Sequence, residues 1–141
     1  MIQKVLVAVD GSENSERALD FAIVFAEKYS APLTVLNVTE LSPVVYPGDE
    51  MIVIAKDMHK LHEAILTKAV ARVKDANPRL IVSAILREGD PAVEIVAVSK
   101  EGEFDVVVLG HQGVGKVTGI LLGSISEKVT RSLSCTVIIV K

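Results

Sequence analysis

Glycines near the C-terminal end of the sequence are spaced in a way that suits phosphate binding. Gly110 and Gly113 are separated by two residues, and nine further residues lead to Gly123 and Ser124. Glycine allows backbone N–H groups to approach phosphate oxygens without interference from a Cβ atom. A helix that begins at Ser124 would add its N-terminal dipole and a hydroxyl group. The spacing therefore predicts a phosphate-binding loop.

A second polar segment follows the first apolar run of the chain. Asp10, Gly11 and Ser12 come directly after Lys4 to Val9. In a parallel sheet, ligands bind beyond the carboxyl ends of the strands, so a carboxylate at this position is a candidate ligand contact. Asp-Gly is also ordinary turn chemistry. Both interpretations of Asp10 stay open, and one residue can serve both roles.

Two catalytic interpretations of the glycine-rich segment are disfavoured. Residues 110–116 fit the first seven positions of a P-loop, but Val117 stands where a Ser or Thr hydroxyl would bind magnesium. Ser124 is not part of a G-x-S-x-G motif, and the sequence shows no His and Asp partners that would make it a nucleophile. We therefore assign no catalytic residue, and a binding module is favoured over an enzyme.

Three further residues could in principle bind metal or react. His59 and His62 are three residues apart in a helical pattern, but no third ligand pattern accompanies them, so we predict solvent-facing side chains and no metal ligand. Cys135 is the one cysteine, cannot form an internal disulfide, and is interpreted as a small buried apolar residue. A reduced, cytoplasmic setting fits this cysteine usage.

The elements that would position these residues alternate along the chain. Short apolar runs predict strands, and periodic apolar residues between them predict helices. Ser12 is a candidate N-cap, and so is Asp90, which is followed by Pro91 at a first helical position. Strands are predicted over residues 4–9, 33–38, 80–86, 104–109 and 136–140, and helices after Ser12, over 50–76, from 91 to about 100, and over 124–133. This βαβαβαβαβ order predicts a parallel sheet with helices on both faces.

Composition agrees with an α/β domain and excludes several partner classes. The chain has 141 residues, of which 50% are apolar and only 4% aromatic, so a core of Val, Ile, Leu and Ala is expected. The formal net charge is -3, and there is no run of five Lys or Arg residues, so neither nucleic acid nor an acidic membrane is an expected partner. The apolar stretch before Asp10 is too short for a signal segment or a membrane span.

These motifs together resemble the universal stress protein family over nearly the whole chain. The resemblance rests on the Gly110, Gly113, Gly123-Ser124 spacing, on Val7 to Ser12, on Asn37-Val38 and on Gly89 to Ala92. His111 and Gln112 depart from the Ser followed by His or Arg that is common in the family. No side-chain role is assigned to those two residues.

The resemblance implies a single Rossmann-like domain over residues 1–141 with five parallel strands in the order 3-2-1-4-5. It also implies a cytoplasmic stress-response regulator that binds ATP, with Mg²⁺, and forms a homodimer through residues 136–140. A homodimeric scaffold without nucleotide, a slow ATPase, and a preference for AMP or cyclic AMP stay open. The implied nucleotide contacts are Ala8, Asp10, Val38, Leu109, Gly110, Gly113, Gly123, Ser124 and Ile125.

Overall fold

The computed structural model describes residues 1–40, 49–111 and 122–141, and side chains throughout these ranges except at 49–55. Gly113 and Gln112 lie outside the described residues, as does most of the predicted loop over 41–49. The sequence predictions for those positions therefore stay predictions.

Five parallel strands form one sheet in the order β3-β2-β1-β4-β5, which confirms the expected topology. The bounds of β5 are those predicted, whereas β3 begins two residues later than expected. The delay has a local cause, because the N–H of Leu80 donates to the carbonyl of Asn77 in a turn after the preceding helix. The strands are β1 Val5–Ala8, β2 Leu33–Thr39, β3 Val82–Glu88, β4 Val106–Gly110 and β5 Thr136–Val140.

Four helices connect the strands, and both predicted N-caps are present. The Ser12 hydroxyl accepts a hydrogen bond of 3.2 Å from the Ser15 N–H, and the Asp90 carboxylate accepts one of 3.0 Å from the Val93 N–H. These caps satisfy N–H groups that a helix leaves without an internal partner. The helices are α1 Glu13–Tyr29, α2 Asp49–Ala76, α3 Pro91–Glu101 and α4 Ser124–Ser132.

The core lies on both faces of the sheet. Val5 and Val7 of β1 belong to the layer that α1 and α2 cover, and Leu6 belongs to the layer that α3 and α4 cover. All three side chains are fully buried, so β1 is a central strand. Cys135 is half-buried rather than fully buried, with its Sγ 3.8 Å from the Ser99 hydroxyl. No helix among the described residues is long and apolar enough to cross a membrane.

The order of the strands determines where a ligand can enter. β1 and β4 are adjacent, and the chain leaves β1 for a helix on one face but leaves β4 for a helix on the other. Connections that diverge in this way open a crevice at the carboxyl ends of the two strands. The fold thus brings the end of β1, with Asp10, next to the end of β4, with Gly110.

Candidate functional site

A cavity of about 410 Å³ opens at this edge of the sheet. Its size falls within the range of about 300–1,000 Å³ that is usual for small-molecule sites. Strand ends form its floor, α2 forms one wall, and the first turns of α3 and α4 form the opposite side. The lining residues are Ala8, Val9, Asp10, Ser15, Leu36, Val38, Glu40, Met58, Leu61, His62, Ile65, Pro91, Ile95, Leu109, Gly110, Ile125 and Ser126.

Most of the nucleotide contacts implied by the resemblance meet in this cavity. Gly123 and Ser124 do not appear among the described lining residues, although Ile125 and Ser126 of the same helix do. Gly113 lies outside the described residues. The residues brought together are Ala8, Asp10, Val38, Leu109, Gly110 and Ile125.

Asp10 holds the turn between β1 and α1. Its Oδ1 accepts a hydrogen bond of 2.9 Å from the Ser12 N–H, and its own N–H donates to the Ser15 hydroxyl at 3.2 Å. Gly11 has φ +86°, a conformation that glycine adopts without steric cost. The turn role of Asp10 is therefore present, and the same side chain lines the cavity.

Gly110 stands where three elements meet. A Cβ atom on Gly110 would lie 2.8 Å from the carbonyl carbon of Asn14 at the start of α1. The Gly110 carbonyl accepts a hydrogen bond of 2.8 Å from the buried Ser126 hydroxyl of α4. A glycine is required here for packing, whether or not its backbone also contacts a ligand.

A backbone hydrogen bond joins His111 and Gly123, which lie on either side of positions 112–121. The Gly123 N–H donates to the His111 carbonyl at 3.0 Å, and the His111 N–H donates to the Val140 carbonyl at 2.8 Å. The Gly123 N–H is thus engaged within the protein. Ser124, at the first position of α4, is exposed, as a helix start that could receive a phosphate group requires.

His62 is a site residue that the sequence prediction missed. The prediction of a solvent-facing side chain holds for His59, which is exposed and pairs with Glu63 at 3.0 Å, but it is wrong for His62. The Nδ1 of His62 lies 2.6 Å from the Oδ1 of Asn37, a residue with 0% exposure. Burial lowers the pKa of His62, the nearby Asp10 carboxylate opposes that effect, and His59 adds to it. The imidazole is therefore held mostly neutral near pH 7.

The spacing of residues along α2 could have predicted that His62 lines the cavity. His62 follows Met58 by four residues and precedes Ile65 by three, and both of those residues line the cavity. Residues at these spacings share one helix face. His59 is exposed and does not line the cavity, so the two histidines have different surroundings.

Apolar side chains dominate the α2 wall at the mouth of the cavity. Met58 and Leu61 are 39% and 54% exposed, although both line the cavity. Pro91 and Ile95 of α3 line the other side. The arrangement suits a flat apolar group between two walls, with polar groups at Asp10 on the floor and at His62 on the α2 wall.

The described residues contain no group of three His, Cys, Asp or Glu side chains that could hold a metal ion.

Comparison with known proteins assigns the family. The universal stress protein family matches residues 1–141, and the chain belongs to this family. Universal stress protein YxiE from Bacillus subtilis is 33% identical, with 100% of both chains covered.

Two solved structures of similar proteins contain adenine nucleotides. A universal stress protein in complex with cAMP is 27% identical, with a TM-score of 0.74 and coverage of 99% of this chain and 97% of that one. The universal stress protein from Archaeoglobus fulgidus in complex with dAMP is 27% identical, with a TM-score of 0.67 and 100% of both chains covered.

Proposed function

We propose that residues 1–141 form one adenine nucleotide-binding domain, with ATP as the physiological ligand. The observation that carries this proposal is the cavity of about 410 Å³ at the β1–β4 crevice, where six of the implied contact residues meet. The cAMP and dAMP complexes of similar proteins support adenine as the base. ATP, rather than a monophosphate, is the part of the proposal that the glycine spacing supports.

The adenosine part lies in the cavity, where Ala8, Val38, Leu109 and Ile125 supply apolar contacts. Asp10 supplies a carboxylate acceptor at the end of β1. Apolar walls with a few placed polar groups are the usual composition of such sites.

The phosphates extend from the cavity towards the start of α4. There Gly123 and Ser124 begin a helix whose dipole favours negative charge. Mg²⁺ would arrive with ATP, bound to phosphate oxygens and water, and would neutralise phosphate charge. Gly113 is part of the same proposal on the strength of its spacing from Gly110.

In cellular terms, we propose a cytoplasmic stress-response regulator in which ATP is a resting ligand that is hydrolysed slowly or not at all. The protein acts as a nucleotide-dependent binding module. A second candidate, a scaffold of the same fold without nucleotide, is favoured only by the packing requirement at Gly110, which explains that glycine without a ligand.

Homodimerisation through β5 belongs to the same proposal. β5 is an edge strand, and its Thr136 N–H donates to the Asp105 carbonyl at 3.3 Å. Because bonding directions alternate along a parallel ladder, the backbone groups of Val137 and Ile139 face away from β4. Unpaired apolar edges favour pairing with another strand, and a second copy of β5 offers a matching edge.

The direct test is a melting series with ATP and magnesium, AMP, cyclic AMP, GTP and no ligand, together with a phosphate-release assay. Ligand at 100 times its Kd should add about 2.7 kcal/mol to the free energy of unfolding, or several degrees in Tm. A matched control is Arg131→Gln, on α4 but paired with Glu127 and not lining the cavity. A wild-type Tm that no adenine nucleotide raises would refute the proposal, and several turnovers per second would refute the resting-ligand role.

A further inference from the structure

A chain of hydrogen bonds determines which nitrogen of His62 carries the proton. The Asn37 Nδ2 donates to the Val9 carbonyl at 2.7 Å, and this carbonyl can only accept. The amide oxygen of Asn37 therefore faces His62. An amide oxygen accepts hydrogen bonds and cannot donate them. The His62 Nδ1, 2.6 Å away, must supply the hydrogen. The ring of the neutral side chain is thus the Nδ1–H tautomer, and its Nε2 is an acceptor.

The acceptor nitrogen lies on the side of the ring away from Asn37. The two ring nitrogens of an imidazole point away from each other, and Nδ1 points to the fully buried Asn37. His62 also lines the cavity, as does Asp10. Burial lowers the pKa of His62, which keeps the Nε2 lone pair available near pH 7.

We propose that the Nε2 of His62 accepts a hydrogen bond from an N–H or O–H group of the bound adenine nucleoside and thereby determines which nucleosides the cavity accepts. This inference rests on the proposed function and adds a specificity residue on α2. Two groups of the ligand have the required chemistry, the exocyclic amino group of the base and a ribose hydroxyl. A base with a carbonyl oxygen in place of that amino group would put two acceptors together, which a buried site disfavours.

The test compares ligands and protein variants in a cycle. Calorimetry gives the affinities of AMP, of purine riboside monophosphate, which lacks the amino group, and of the 2′-deoxy and 3′-deoxy forms of AMP. For the wild type, the analogue that lacks the group donating to His62 should bind roughly 2- to 13-fold more weakly than AMP, which is the value of one neutral hydrogen bond. In His62→Phe that ratio should fall to about 1. The ligand for which the ratio collapses identifies the donor group.

Affinity ratios separate recognition from structural damage. His62→Phe leaves the Asn37 oxygen without its partner. The resulting damage to the protein lowers the affinity for all four ligands by the same factor, and this factor cancels in each ratio of affinities. His59→Phe is the matched control, because His59 is on the same helix, is exposed and does not line the cavity. Its ratios should equal those of the wild type.

Nitrogen chemical shifts of the histidines provide a second readout that a purely structural role would not move. The Nε2 of His62 should be unprotonated without ligand, and its resonance should shift when AMP binds. Unchanged ratios for all three analogues in His62→Phe, or an Nε2–H tautomer in the free protein, would overturn the role of His62 and leave nucleotide binding intact. A wild type that binds neither ATP nor any of the four ligands would overturn both.

Discussion

The carbonyl carbon of Asn14 lies 2.8 Å from the position that a Cβ atom would occupy on Gly110. Asn14 is in the first turn of α1, and Gly110 is the last residue of β4, so this contact joins the two halves of the crevice. The nearest atoms belong to the backbone of Asn14 and cannot rotate away. The close approach of α1 to β4 therefore depends on the missing side chain.

Gly110→Ala should destabilise the protein even without ligand. Inserting a methyl group into a tightly packed site typically costs about 1–3 kcal/mol, because the backbone has to shift. Urea unfolding of the unliganded variant measures the cost. An unchanged midpoint would show that α1 moves freely at this contact, and Gly110 would then be left with a ligand role alone.

Asp10→Ala should weaken ATP binding more than it weakens the fold. A hydrogen bond to a charged group is worth about 1.5–3 kcal/mol, or roughly 10- to 150-fold in affinity. Calorimetry with ATP measures this loss. Asp90→Ala is the matched control, because the Asp90 carboxylate also accepts a backbone N–H but does not line the cavity. Equal ATP affinity in wild type and Asp10→Ala would show that Asp10 stabilises the turn between β1 and α1 and does not contribute to ATP binding.

Acidification should destabilise the fold through His62. Burial lowers the pKa of His62 from its ordinary value of 6.5, although Asp10 opposes the shift. The unfolded chain then binds a proton at a higher pH than the folded chain does. The free energy of unfolding should fall as pH drops through about 6.5, and this contribution should level off below the folded-state pKa.

Denaturant unfolding between about pH 7 and 5 measures the slope, and the His62 share is a fraction of the ~1.4 kcal/mol per pH unit that one proton represents. Solvent contact of the half-buried ring reduces that share. His62→Gln should have a shallower slope than the wild type, and His59→Gln should keep the wild-type slope. Identical slopes in all three proteins would contradict the assignment.

Ile139→Pro should give a folded monomer. The N–H of Ile139 faces away from β4, so proline at this position removes a donor from the open edge without breaking the ladder inside the sheet. Ile138→Pro, by contrast, removes a donor that faces β4 and should also lower Tm. Sedimentation at high micromolar concentration distinguishes monomer from dimer. A monomeric wild type would contradict pairing through β5.

The parts of the fold that depend on local chemistry could be predicted from the sequence. Pro91 after Asp90 specifies a helix start, and Thr136–Val140 contains only strong strand formers. The strand order came from the family resemblance, and the sheet confirms it. In each case the information lies within a short segment or in a pattern shared by related chains.

The parts that depend on distant contacts could not be predicted. Nothing near Gly110 in the sequence indicates that Asn14 packs against it. The surroundings of His62 depend on Asn37, which lies on another element and is itself oriented by Val9. Helical periodicity placed His62 on the same face as Met58 and Ile65, but only the fold shows what that face contacts.

The central position of β1 has a consequence for synthesis of the chain. β1 is made before the other four strands, and β2 can pair with one of its edges soon afterwards. Its other edge pairs with β4, whose residues 106–110 are made much later. At roughly 5–20 residues per second, the interval between β2 and β4 lasts several seconds. During that time the nascent chain exposes an unpaired edge of Val5, Leu6 and Val7, the most apolar strand segment of its first half, and chaperones that shield such edges have their main opportunity to act.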